Sequence, residues 1–165
     1  MVGLLKHKVT GYIQVTHMSA ASDPRLEHIQ YSDTRIYVPR ISSGRVIKVY
    51  DGDTITIGTY LQGDDTLYRF SVRLKGIDCP EMRTRNSSEK ECALLSKAFV
   101  ADKVMDTVVR LENIELEKYG RLLADVYCTN GECLNDLLCQ QRLAVKYDGG
   151  TKQVPDDWMK YYNGQ

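Results

Sequence analysis

From residue 43 onward the chain passes through three short stretches of alternating apolar and polar residues, set apart by tight-turn signals. Residues 44–50 (GRVIKVY) alternate as a half-buried strand does. Asp51-Gly52-Asp53 turns the chain, and residues 54–60 (TITIGTY) are rich in β-branched side chains. Gly63-Asp64-Asp65 turns it again, and residues 67–77 (LYRFSVRLKGI) resume the alternation. A period of two commits one face of each stretch to a core, and turns this short join neighbours antiparallel, so a three-stranded meander is expected.

A helix should follow. Ser88-x-x-Glu91 reads as a capping box, and Leu94, Leu95, Ala98, Phe99, Ala101 and Met105 recur at helical spacing as its apolar face. Residues 108–116 and 122–127 return to strand-like composition. Asn135 is expected to cap a second helix carrying Leu137, Leu138 and Leu143, and Pro155 to start a terminal helix reaching Tyr162. Five strands with a helix between the third and fourth give an α+β fold on a five-stranded OB-type barrel with three helices.

Residues 1–42 differ from the rest. They hold all three histidines and two of the four prolines, and lack strong periodicity beyond a short strand-like run at 9–15. They read as an arm, partly ordered at best, with a solvated basic excess; residues 43–165 read as the folded domain. No run approaches the roughly 18 apolar residues of a membrane span. Net charge is zero but uneven: +4 over residues 1–50, −3 over 51–81, +2 over 82–111 and −3 over 112–165. That excludes coating nucleic acid by bulk charge and leaves room for a local concentration of it. The cysteines number five, an odd count in a chain too large to need a disulfide framework. Cys128, Cys133 and Cys139 are spaced C-x4-C-x5-C with no histidine nearby, which suits free thiols better than zinc. With no secretory signal read at the N-terminus, a reducing, intracellular setting and a monomer are expected.

Two acidic motifs stand at strand ends. Asp51-Gly52-Asp53-Thr54 and Asp78-Cys79-Pro80-Glu81 set carboxylates beside residues that fix turns. Taken singly, each is ordinary turn or helix-start chemistry; together they offer the oxygen ligands a hard divalent cation needs. Arg73 lies in a strand five residues before Asp78, where residues 73, 75 and 77 should share the more polar face. Arg121 follows Gly120 at a strand start. The planar guanidinium fork suits phosphate oxygens, although surface arginines alone decide nothing.

The combination resembles the staphylococcal nuclease family. RVIKVYDGDTITI (45–57), VRLKGIDCPE (72–81), EKYGRLLADVY (117–127) and LNDLLCQQRLA (134–144) occur in the family's order, and the likeness covers residues 43–162. It implies that Asp53, Asp78 and the backbone carbonyl of Cys79 hold a catalytic Ca2+. The family commonly has Thr where Cys79 stands, an exchange that leaves a carbonyl ligand intact. A thiol nucleophile there lacks a nearby histidine. The resemblance further implies that Glu81 acts on the attacking water, and that Arg73 and Arg121 bind the scissile phosphate and stabilise its developing charge. Lys118 and Tyr119 would contact the neighbouring phosphate, and Tyr147 would stack on a base. Asp51 would serve in the turn behind the metal. The implied reaction is in-line attack of water on a phosphodiester of DNA or RNA, leaving 3′-phosphate ends.

Two other readings remain at this point: an inactive binding module of the same fold, and a calcium-dependent interaction module. The five residues Asp53, Arg73, Asp78, Glu81 and Arg121 are all present, which favours the enzyme. The pI of about 6.8 argues for weak capture of long polymers at physiological salt, since secreted members of the family are strongly basic.

Overall fold

The structure, a computed structural model, describes residues 23–117 and 119–165. The strand expected at 9–15 and the side chain of Lys118 lie outside the described residues. The chain divides into two units, Met1–Arg35 and Ile36–Gln165. In the first, two single turns of 3-10 helix, Pro24–Leu26 and Tyr31–Asp33, bury no residue.

The second unit is the barrel. Strands β1 (Ser43–Val49), β2 (Thr54–Tyr60), β3 (Leu67–Leu74), β5 (Val108–Leu116) and β6 (Leu122–Tyr127) close in the order β1-β2-β3-β6-β5. The β3–β6 pair is parallel and the other pairs are antiparallel. Val46, Ile55, Ile57, Val72, Leu74, Val109, Ala124 and Val126 alternate inward and are fully buried, as the period of two requires. Each Val or Ile so buried contributes roughly 1.5–3 kcal/mol of transfer free energy.

The third stretch is shorter than the alternation suggested. β3 stops at Leu74, the chain turns at Gly76 (φ +75°), and a separate two-residue strand, β4 (Ile77–Asp78), pairs with β7 (Val145–Lys146). Arg73 and Ile77 therefore do not share a face: Ile77 is core while Arg73 opens outward.

Helix α1 (Ser87–Val104) also differs from expectation. Its N-cap is Asn86, whose side chain accepts from the Glu89 N–H. Ser88 instead donates to Asp157 and accepts from the Met159 N–H, tying α1 to the start of α3 (Trp158–Tyr162). The buried stripe of α1 is Cys92, Ala93, Ser96, Val100 and Val104, and Leu94, Leu95 and Met105 face outward. The stripe is built from small side chains because α1 approaches a turn of the barrel closely. A Cβ on Gly52 would lie 2.0 Å from Ser96 Oγ and 2.9 Å from Cys79 Sγ.

Helix α2 (Leu134–Gln140) is capped at Cys133, not Asn135. Asn135 is a buried clamp: it accepts from the Val126 N–H and donates to the carbonyls of Lys75 and Ala124. Leu143 lies beyond α2 and is buried all the same. α3 starts at Trp158 behind Asp157, whose carboxylate accepts from the Met159 and Lys160 N–H groups, so Pro155 lies outside it.

Candidate nuclease active site

The turn between β1 and β2 is where the site begins. Tyr50 N–H and Asp51 N–H both reach the Thr54 carbonyl, and Asp51 Oδ1 accepts from the Asp53 N–H at 3.2 Å. Asp51 thus serves the turn. Gly52 is needed there because Ser96 and Cys79 leave no room for a side chain. The Asp53 carbonyl accepts from Leu74 N–H at 2.8 Å, pinning the turn to β3, where Thr54 stands opposite Arg73 and Asp53 is next to that pair.

Arg73 bridges two buried acids. Its Nη1 donates to Asp53 Oδ2 at 2.5 Å and its Nη2 to Asp78 Oδ1 at 2.8 Å. The two carboxylates are 6% and 3% exposed and the arginine 14%. Thr54 Oγ1 donates to Asp53 Oδ1 at 2.9 Å. Burial pushes the Asp53 carboxyl above the ordinary carboxylate range, against the pull of the Arg73 guanidinium. Burial also works against the Arg73 charge, and Asp53 and Asp78 more than offset it.

Arg121 enters from the loop before β6. Gly120, at φ +82°, permits the turn, and Arg121 grips Glu117 through Nε at 2.6 Å and Nη2 at 2.8 Å. That two-point hydrogen bond raises the Arg121 pKa. The parallel β3–β6 register, with Arg73 beside Leu123, carries Arg121 to the same end of the barrel as Arg73.

Glu81 lies just after β4 and is largely exposed. Lys152 Nζ holds it at 2.8 Å and takes Asp78 Oδ2 at 3.0 Å. Lys152 carries no local sequence signal, being one lysine in a Gly-Gly-Thr-Lys loop, and the sequence reading did not find it. Glu117 was missed too, since its grip on Arg121 comes from the turn at Gly120 and not from a sequence motif. Tyr147 is set beside β4 by its N–H bond to the Gly76 carbonyl. Tyr119 is exposed on the loop before Arg121.

Asp53, Arg73, Cys79, Glu81, Glu117, Tyr119, Arg121, Tyr147 and Lys152 line one cleft of about 420 Å3, with Tyr50, Asp51 and Pro80. The Cys79 thiol points away into the core, where Ser96 Oγ donates to it at 3.3 Å. Burial and the nearby Asp53 charge push this thiol well above the ordinary range.

A divalent cation fits this donor set. Asp53 and Asp78 present carboxylate oxygens to one guanidinium, so their oxygens are already close together. The four carboxylates that line the cleft (Asp51, Asp53, Glu81, Glu117), with Asp78 held behind it by Arg73 and Lys152, face three cations (Arg73, Arg121, Lys152), leaving two negative charges among the described residues. Two buried carboxylates with a main-chain carbonyl, in a cleft of charge −2, suit a hard ion that prefers oxygen. No group of three or more His, Cys, Asp or Glu side chains converges on one point among the described residues, so the side-chain share would be those two acids.

Comparison with known proteins places this geometry in context. The family described as staphylococcal nuclease homologue matches residues 71–162. The chain belongs to the staphylococcal nuclease family. An uncharacterized endonuclease of Escherichia coli O157:H7 is 31% identical over 108 residues, covering 64% of this chain and 61% of that protein. A staphylococcal-like nuclease of Arabidopsis thaliana is 33% identical over 86 residues, covering 52% of this chain and 24% of that one. The chain thus spans about three fifths of the E. coli relative's length. The closed five-stranded barrel, with three α-helices among the described residues, agrees with the family's OB-type architecture. Among the described residues, no helix is long and apolar enough to cross a membrane.

Proposed function

We propose that this chain is a calcium-dependent nuclease that hydrolyses phosphodiester bonds of DNA or RNA and leaves 3′-phosphate ends. The observation that carries the reading is the cleft itself. Buried Asp53, exposed Glu81 and two arginines line a single surface, with buried Asp78 joined to it through Arg73 and charge left for a divalent cation.

Asp53 and Asp78, with the Cys79 carbonyl, would hold the ion. Bound there, calcium supplies a Lewis acid for a phosphate oxygen and a template for water. Glu81, exposed at the cleft's edge, takes the proton of the attacking water. Arg73 and Arg121 face the charge that grows on the non-bridging oxygens. Both arginines are held by carboxylates, so their forks are oriented before substrate arrives, which lowers the entropy lost on engaging phosphate. Tyr147 and Tyr119 flank the cleft as aromatic surfaces for bases.

The test is cleavage of end-labelled single-stranded DNA and RNA by the purified protein, in calcium and in EDTA, beside Asp53→Ala. Cutting that needs calcium and vanishes in the variant is expected, with phosphatase-sensitive 3′ ends. Folded protein that cuts neither polymer under any metal refutes the reading and favours a binding module.

A further inference from the structure

Next to the cleft, the outer face of β1–β2–β3 carries a hollow of about 440 Å3 lined by Ile47, Lys48, Thr56, Arg69 and Ser71. A β-bulge makes it. The β1–β2 register shifts between Val46 and Lys48, so Ile47 and Lys48 both face outward. Gly58 stands opposite Arg69 and leaves the floor low; a Cβ there would meet nothing closer than 3.8 Å.

The charges of this hollow are unlike those elsewhere on the barrel. Arg45, Lys75 and Arg110 each pair with an acid, as does Lys146 on the small β4–β7 sheet. Lys48 and Arg69 have no acidic partner among the described residues, and no acid lines the hollow. Lys48 Nζ lies 5.8 Å above the Tyr50 ring, and Tyr50 lines the candidate active site. Along β3, Arg69, Ser71 and Arg73 share the outer face, so Arg69 lies about 13 Å from Arg73 at the usual strand rise.

We propose that this hollow is a second binding site for the substrate strand, resting on the nuclease reading above. Lys48 and Arg69 hold phosphates beyond the scissile one, the Thr56 and Ser71 hydroxyls bond backbone oxygens, and Tyr50 offers a stacking face between hollow and cleft. The ligand class is single-stranded polynucleotide, because a 13 Å run along one strand follows a flexible backbone, and stacking on Tyr50 needs an unpaired base.

The experiment is fluorescence anisotropy in EDTA, with labelled single strands of about a dozen nucleotides, DNA and RNA, titrated over about 50–200 mM salt. The proteins are wild type, Lys48→Gln/Arg69→Gln, Thr56→Lys and the control Lys160→Gln on α3. Loss of two phosphate contacts should weaken binding roughly tenfold at low salt and flatten the log–log salt slope by about 1.4. Thr56→Lys should tighten binding and steepen the slope, and Lys160→Gln should track wild type. Affinity and slope of the double variant matching wild type overturn the proposal, as does an equal loss in Lys160→Gln. If the double variant fails to fold, Thr56→Lys decides by its gain. A wild type that never cuts in calcium, with the double variant still losing affinity and slope, sinks the hydrolysis and leaves this site standing. A wild type that cuts while the double variant binds unchanged sinks this site alone, and one that binds neither strand sinks it outright.

Discussion

Replacing Arg73 by methionine would leave the aliphatic stem in place and remove only the fork between Asp53 and Asp78. Both carboxylates are almost wholly buried, so they cannot turn to water for compensation. Breaking a buried ion pair by deleting one partner costs about 3–5 kcal/mol. The lower end is expected here, about 3 kcal/mol, because part of the support survives. Lys152 still holds Asp78 Oδ2, and Thr54 still donates to Asp53. For a chain of this length, that is a drop in Tm of roughly 6–12 °C in EDTA. Calcium should reverse it. A ligand that binds only the folded state at 100 times its Kd stabilises by about 2.7 kcal/mol, nearly the whole deficit. Calcium should also stabilise the variant more than the wild type, in which Arg73 already neutralises the same oxygens. The pH dependence has a fixed sign. Losing the guanidinium raises the folded-state pKa of Asp53 beyond its already raised position. The deficit is then smallest in acid, below the carboxylate's unfolded pKa, and grows as pH rises through the higher folded value. Thermal melts of both proteins in EDTA and in saturating calcium, at several pH values, read all three effects. An Arg73→Met protein that melts within about 1 °C of wild type in EDTA would refute the charge argument. So would equal calcium stabilisation of the two proteins.

Arg121→Ala should lower turnover by roughly 10²–10³-fold with a smaller change in melting than Arg73→Met, because its pair with Glu117 is only partly buried; turnover within a few-fold of wild type removes its role. Glu81→Gln should cripple turnover while calcium binding, read by calorimetry, persists; unchanged activity would end the assignment of Glu81 to water activation. Gly52→Ala should destabilise by about 1–3 kcal/mol, since its Cβ has no space against Ser96, and Ser96→Gly in the same chain should recover much of the loss. A Gly52→Ala protein as stable as wild type would show that α1 can retreat from the turn.

The barrel was legible because its signals are local. Alternation, β-branched runs and Asp-Gly turns are read within a few residues, and all five barrel strands lie within a few residues of where those signals put them. The helix details were less so, for a common reason. Ser88 and Asn135 look like caps, but each is used by a distant partner: Ser88 by Asp157 and Met159, Asn135 by the carbonyls of Lys75 and Ala124. The face of α1 was misread because its closest contact runs through Ser96, which no apolar count includes. The acids and arginines of the cleft stand in motifs and could be named from sequence. Lys152 could not, since its meaning comes only from a loop folding back onto Asp78 and Glu81.

A net charge of zero pointed to weak capture of nucleic acid, yet net charge is the wrong quantity for a small contact. The Debye length at physiological salt is about 8 Å, so a phosphate responds to the few charges within that radius and not to the total. Near the cleft those charges are unevenly sorted, with acids outnumbering cations inside it. Acids stand inside, where a divalent ion would answer them, and Lys48 and Arg69 stand outside it with no acid to answer. Elsewhere Arg45, Lys75 and Arg110 on the barrel and Lys146 on the β4–β7 sheet are spent on local pairs. The salt slope of binding counts phosphates neutralised at the contact, so a neutral chain sorted in this way can show the slope of a basic one on a short strand. What it lacks is the long-range steering that a net positive field supplies, so its association rate, more than its affinity, should fall below that of a basic relative.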